Sequence, residues 1–144
     1  MDYRKGSIGQ VFAVRIDHGD DVIAEISGLA LKEGIKSAFF IMLGAVGSAE
    51  LVTGPKEKAV PPTTVWSKFD DAREIIGAGN IFWENDAPKI HLHGAAGSSR
   101  GMTMGCFRKK AQAFMVVEVF IVEMDIAAER VFDEKMGASL IRFL

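Results

Sequence analysis

His91 and His93 flank a single leucine in the stretch PKIHLHGAAG, and the chain has only three histidines. Residues two apart in a strand project from the same face, with Cα atoms roughly 6.5–7 Å apart. Two imidazoles so placed can converge on one ion at Zn–N distances of roughly 2.0–2.1 Å. Two ligands do not complete a site. Cys106, the single cysteine, lies in MTMGCF, and the turn-like GAAGSSRG before it predicts a hairpin that returns Cys106 alongside both histidines. A set of two histidines and one cysteine suits zinc by ligand softness and leaves a position for water or a fourth protein ligand. The same residues admit a plainer reading, with H-x-H as the polar face of a half-exposed strand and Cys106 as a small buried hydrophobe. Spacing alone leaves both open.

Two charged residues interrupt apolar strands. Arg15 ends VFAVR, and Glu118 sits inside FMVVEVFIV, sharing a face with Phe114, Val116, Phe120 and Val122. That company predicts partial burial of Glu118 and a need for a partner. An Arg15–Glu118 ion pair is one solution. The other places Glu118 in a polar cleft beside the histidines, as a catalytic base or as an acceptor supporting a ligand. His18, in the turn DHGDD ahead of a helix, reads either as a solvent-exposed turn residue or as part of an anion site at the helix start. The chain has no glycine-rich phosphate loop, Cys-x-x-Cys pair, G-x-S-x-G elbow or His-Glu-x-x-His helix.

The elements that must position these residues follow from periodicity. IGQVFAVRI alternates as a strand does, and DHGDD ends it while supplying an aspartate cap to the next element. Val22, Ile23, Ile26, Leu29 and Ala30 recur at helical spacing over Asp21–Glu33, and Gly34 is placed to stop the helix. Strands are predicted at Ser37–Leu43, Val46–Thr53, Arg73–Trp83, Lys89–Gly94, Met102–Phe107, Ala113–Met124 and Ser139–Leu144. TGPKEKAVPPTT reads as a loop and DIAAERVFD as a short helical turn. One long helix among many strands defines an α+β fold with a mostly antiparallel sheet, in a single domain spanning 1–144.

Composition restricts the classes of function. The chain has 144 residues, 49% hydrophobic and 25% charged, with a formal net charge of −2. That acidic balance gives no general attraction to nucleic acid, and the basic runs RKK (Arg108–Lys110) and GPKEK (Gly54–Lys58) are short. A single cysteine fits a reducing, cytoplasmic setting. No segment reads as a signal peptide, and the apolar runs SAFFIMLGAVGSA and AFMVVEVFIVEM are too short or interrupted to cross a bilayer. Ala113–Met124 is apolar on both faces and must be covered on both, by the helix on one and by a neighbouring subunit on the other.

The order RIDHGDD, helix, GAVGSAEL, REIIGAGNI, KIHLHGAAG, GMTMGCF, FMVVEVFIVE and RVFDEKMGASLIRF resembles the PPC (plant and prokaryote conserved) domain over essentially the whole chain. The resemblance implies a compact α+β domain that assembles as a homotrimer. It further implies a metal, usually taken as zinc, held by two histidines of an H-x-H strand and a third in a GGH turn. Residue by residue these fall on His91, His93 and Cys106, because MGC stands where the family has GGH. Cysteine either conserves the site with a softer donor or marks a member without the metal, and Met104 replaces the first glycine of that turn. Plant members bind AT-rich DNA through an Arg-Gly-Arg-Pro core. SSRGM at Ser98–Met102 lacks the second arginine and the proline, so nucleic acid is not an expected partner. Three functions follow as expectations: a trimeric zinc protein able to act hydrolytically on a small-molecule substrate with Glu118 as base, an assembly module with structural or no metal, and, last, a DNA-associated regulator.

Overall fold

The computed structural model describes all residues, Met1–Leu144. Eight strands and one helix follow in the order β1 (Ile8–Asp17), α1 (Val22–Glu33), β2 (Ser37–Pro55), β3 (Thr64–Phe69), β4 (Arg73–Glu84), β5 (Ala87–Ser98), β6 (Gly101–Met124), β7 (Ala128–Asp133) and β8 (Ala138–Phe143). All strands share one sheet, antiparallel except for a single parallel bridge between Trp83 of β4 and Glu129 of β7. The long strands β2 and β6 each pair on both sides, so the ladder β2–β6–β5–β4 returns to β2 and closes on itself. Closure leaves the central strands without free edges, and only β1, β3 and the β7–β8 hairpin hang from the ring.

Inward-facing Phe40, Leu51, Ile81, Leu92, Phe107 and Ile121 are almost wholly excluded from solvent and form the core. Each such side chain contributes roughly 1.5–3 kcal/mol relative to exposure. Val22, Ile26 and Ala30 of α1 pack into the same cluster. Asp21 starts that helix: one carboxylate oxygen accepts from the amide of Ala24 and the other from the amide of Ala111 on β6, at 2.9 and 3.1 Å. Gly34 ends it at φ 71°. The helix has twelve residues, about 18 Å or three turns, so the long helix predicted from periodicity is a short one.

Several boundaries differ from expectation for stated reasons. The two strands predicted on either side of Gly44 are one nineteen-residue strand, and those on either side of Arg108–Gln112 are likewise one, β6. A bulge opposite Gly44, with Met115 at φ 61°, bends β6 without breaking it. Thr64–Phe69, which starts at the end of the predicted loop TGPKEKAVPPTT and for which no strand is predicted, is strand β3 paired to β2. DIAAERVFD is no helical turn: Ala128–Asp133 pairs in register with Ala138–Phe143. A nine-residue apolar pattern without caps is too short to hold a helix by itself, and the partner strand decides.

The outer face of the closed sheet carries Phe39, Ile41 and Leu43 of β2 with Phe114 and Phe120 of β6, all exposed. Glu118 lies on this face and is exposed, not partly buried. Arg15 stands directly opposite it in register, yet its guanidinium turns along its own strand to Asp17 at 2.8 Å. The expected Arg15–Glu118 pair is therefore not formed. Both groups face solvent, so neither requires a counter-ion.

Candidate metal centre

The β5–β6 hairpin turns at Ser99–Arg100 and runs in continuous register from Ser98↔Gly101 to Leu92↔Phe107. His93 and Cys106 are consequently direct cross-strand partners, and His91 follows two residues along the same face. Leu92 and Phe107 point the other way, into the core, and fix which face the ligands take. Gly105 is required in the MGC stretch because a Cβ there would strike the Val52 carbonyl of β2, which pairs beside Cys106. MGC is thus the interior of a strand and not a turn, and Met104 projects into solvent without disturbing it.

One donor atom from each of His91, His93 and Cys106 lies within 4.8 Å of the others. The two imidazoles meet edge to face at an interplanar angle of 79°, with their Nε2 atoms 3.1 Å apart. Two Zn–N bonds at a tetrahedral angle would separate the nitrogens by about 3.3 Å. Donor identity and spacing therefore fit zinc. Cys106 is buried, 5% exposed, whereas His93 is exposed and His91 intermediate. Such a cluster is half-sheltered, closed beneath by the sheet and open on one side.

Electrostatics keep the His91 ring neutral while setting two positive charges beside the cluster. Burial, with the charges of Arg130, His93 and Arg108, lowers the His91 pKa to about 4. The ring is neutral near pH 7, as coordination requires. Its other nitrogen, Nδ1, is unusual in its company. Metal-bound histidines ordinarily donate that N–H to a carboxylate or carbonyl, but here Arg130 Nη2 stands 3.4 Å away. If Nε2 gives its lone pair to an ion, the proton sits on Nδ1, and the arginine faces a donor across a gap already long for a hydrogen bond.

Arg130, which no sequence motif marks, stands beside the cluster. It is only 8% exposed, and its guanidinium donates to the Ser139 carbonyl and to Oδ1 of Asn80, both at 2.7 Å. Asn80 is the register partner of His91, so Arg130 pins the β7–β8 hairpin over the histidine. Burial pulls its pKa down from the usual arginine value, yet an arginine stays protonated in proteins. Its hydrogen-bond partners are all uncharged, and the attraction of the nearby Glu84 carboxylate offsets part of the cost of holding a guanidinium out of water. Arg108 places its Nε 3.4 Å from Cys106 Sγ. Nothing in the sequence singled out Arg130 inside AERVF, and Arg108 reads as one of three adjacent surface charges.

The other candidates lie elsewhere. Glu118 shares its outer-face row with Leu43, Ile76 and Ala95, so β2 and β4 intervene between it and the strand of the histidines. Three strand spacings amount to roughly 14 Å. Within one chain it does not join the cluster. His18 accepts the Met115 amide on Nδ1 at 3.1 Å and packs edge-on against Phe114, which makes it a clasp for the β6 bulge.

The fold and cluster together define a class: a small closed antiparallel sheet with a two-histidine, one-cysteine group on its outer face. The Plants and Prokaryotes Conserved (PCC) domain matches residues 3–125, and the chain belongs to that family, the one its motif order resembles. A solved structure of a metal-containing protein from Archaeoglobus fulgidus is similar over 100% of this chain and 99% of its own, at 29% identity and a TM-score of 0.87. A plant- and prokaryote-conserved protein from Pyrococcus horikoshii has the same coverage at 23% identity and a TM-score of 0.86. A protein of conjectured DNA binding from Ralstonia eutropha JMP134 covers 92% of this chain and 90% of its own, at 20% identity and a TM-score of 0.79. No curated protein matches. No helix is long and apolar enough to cross a membrane.

Proposed function

We propose that this chain is a homotrimeric zinc-binding member of its family, with the ion held by His91, His93 and Cys106. The observation that carries the reading is the convergence of three donors of the right chemistry within 4.8 Å of one another. The relative from Archaeoglobus fulgidus, itself metal-containing, lends support. When bound, zinc at three protein ligands supplies Lewis acidity and a water of lowered pKa. The chain's own contributions are a neutral His91, a buried Cys106 sulfur and a sheet that fixes their register. Hydrolysis of a small substrate is compatible with this arrangement. A base role for Glu118 would require a neighbouring subunit to carry it to the cluster.

Assembly is supported by a second observation. The outer-face rows run Phe120–Ile41–Ala78–His93 and Val122–Phe39–Asn80–His91 across four strands, so the exposed apolar patch abuts the histidines. A contiguous patch of this kind is where another subunit packs, and the cluster would then stand at a subunit boundary. Binding of DNA finds less support, because the net charge is −2 and the Arg-Gly-Arg-Pro core is missing.

Elemental analysis of untagged protein, purified without added metal, tests the proposal. It expects near-stoichiometric zinc in the wild type and its loss in Cys106→Ala and in His91→Ala/His93→Ala. Metal-free wild type would overturn the zinc reading, and a monomer by light scattering at micromolar concentration would overturn the trimer.

A further inference from the structure

A cleft of about 760 Å³ opens between β5 and the β7–β8 hairpin, with His91 and Cys106 in its wall. Its polar groups are unequally balanced. Glu84, the one carboxylate in its lining, is bonded to Lys89 at 2.8 Å. The ion pairs of the chain engage Arg4, Arg15, Lys32, Arg73, Lys89, Lys109 and Arg142, and include neither Arg108 nor Arg130. Both unpaired arginines line the cleft. Arg130 is more than nine-tenths buried, and its Nε–H has no acceptor. Arg108 bonds only the Cys106 sulfur, so its two Nη groups are free. Buried charge is ordinarily matched by a counter-ion. Glu84 attracts Arg130 without hydrogen-bonding it and is itself held by Lys89, which leaves the Arg130 Nε–H and the Arg108 Nη groups open to an anion from outside the chain.

The rest of the lining says what kind. Phe132, Leu140 and Ile141 of the hairpin are exposed apolar residues facing the cleft, with Ile90 opposite. A volume within 300–1,000 Å³ suits a small organic molecule. Planar guanidinium forks match a carboxylate in two-point fashion. The same forks also take a phosphate; the apolar wall, and the lack of a helix N-terminus where α1 contributes no residue, favour the singly charged carboxylate.

We propose that this cleft binds an organic monocarboxylate, its carboxylate held by Arg108 and Arg130 beside the His91–Cys106 wall and its apolar body against Ile90, Phe132, Leu140 and Ile141. The assignment names a ligand class for the metal site and rests on that reading only for the ion's share of the positive charge. Coordination through His91 Nε2 also removes the acceptor that Arg130 Nη2 faces, which leaves that donor for the ligand. The hairpin that supplies Arg130 and the apolar wall lies beyond the residues that match the family, 3–125. Arg130 and most of the apolar wall would therefore come from outside the matched domain, and Arg108 and Ile90 from within it.

Phenylacetate, phenylacetamide and phenyl phosphate, titrated into the full chain with and without zinc and followed by amide chemical shifts, test this. Phenylacetate should saturate with a Kd at least tenfold below that of the amide, and should move resonances of Ile90, Arg130 and Leu140. Arg108→Gln, and separately Arg130→Lys, should weaken phenylacetate at least fivefold and leave the amide unchanged. Arg108 is exposed, so the first variant keeps the test alive if the second misfolds. Equal binding of acid and amide, or indifference to Arg108→Gln, overturns the proposal. Tighter binding of phenyl phosphate overturns the choice of carboxylate. Zinc content is measured on the same samples: carboxylate binding without zinc upholds the cleft while the metal reading falls, and zinc without carboxylate binding overturns the cleft alone.

Discussion

Two hairpins meet at the site, and they are held by different means. The β5–β6 hairpin is built into the closed ring, paired to β4 along one side and to β2 beyond Cys106. Its candidate ligands are placed by ladder hydrogen bonds and by Leu92 and Phe107 locked in the core. The β7–β8 hairpin touches the sheet ladder at one bridge, Trp83↔Glu129, and is further attached by Arg130 and by Arg4 stacked over Phe143. The contrast separates two tasks. The register of one hairpin sets the spacing of the candidate donors, while the other, joined to the sheet at fewer points, forms the wall of the cleft.

Breaking the anchor should expose that difference most strongly. Arg130→Met removes charge-assisted hydrogen bonds at roughly 1.5–3 kcal/mol each, partly offset by relief of a buried charge, for a net loss of about 2 kcal/mol. Hydrogen exchange should accelerate across 128–143 while amides around His93 and Cys106 keep their protection. Uniform acceleration over both hairpins would show that they are one cooperative unit.

A smaller loss, about 1 kcal/mol, is expected for His18→Ala, which frees the Met115 amide at the β6 bulge. Thermal denaturation should report it with zinc content unchanged. Loss of metal in this variant would mean that the bulge, and not the hairpin register, positions the ligands.

The gentlest probe is pH, applied to chelator-stripped protein. His91 has its folded pKa lowered to about 4 from an ordinary 6.5. Between those values the unfolded chain binds the proton more readily, so stability falls as pH drops from about 6.5 to 4 and changes no further below it from this residue. The ring is only half-buried, and solvent screening keeps the effect below about 1 kcal/mol. His91→Gln should flatten that part of the melting-temperature profile; an unchanged profile would assign the dependence to other groups.

How much of this was legible in the sequence follows the same division. His93 meets Cys106 through a short hairpin, and such local pairing is written in alternation and turn residues. The α+β class and the capping of α1 by Asp21 and Gly34 were legible for the same reason. What depended on distant partners was not. AERVF becomes a strand only because ASLIRF lies beside it, TVWSKF only because β2 offers an edge, and Arg130 acquires its role only when the hairpin folds over Asn80 and His91. Glu118 misled in the opposite sense: its apolar neighbours suggested burial, but they face outward with it, toward the surface proposed to receive another subunit.

The central claim is that Cys106 completes a metal site with His91 and His93. Cobalt(II) substituted into the purified protein tests it most directly, because a thiolate bound to cobalt gives a sulfur-to-metal charge-transfer band in the near ultraviolet, and four-coordinate cobalt gives intense visible bands. Both signatures are expected at one equivalent, with the charge-transfer band abolished in Cys106→Ser and the visible bands lost in His91→Ala/His93→Ala. Cobalt bound at one equivalent with no charge-transfer band in the wild type would contradict it.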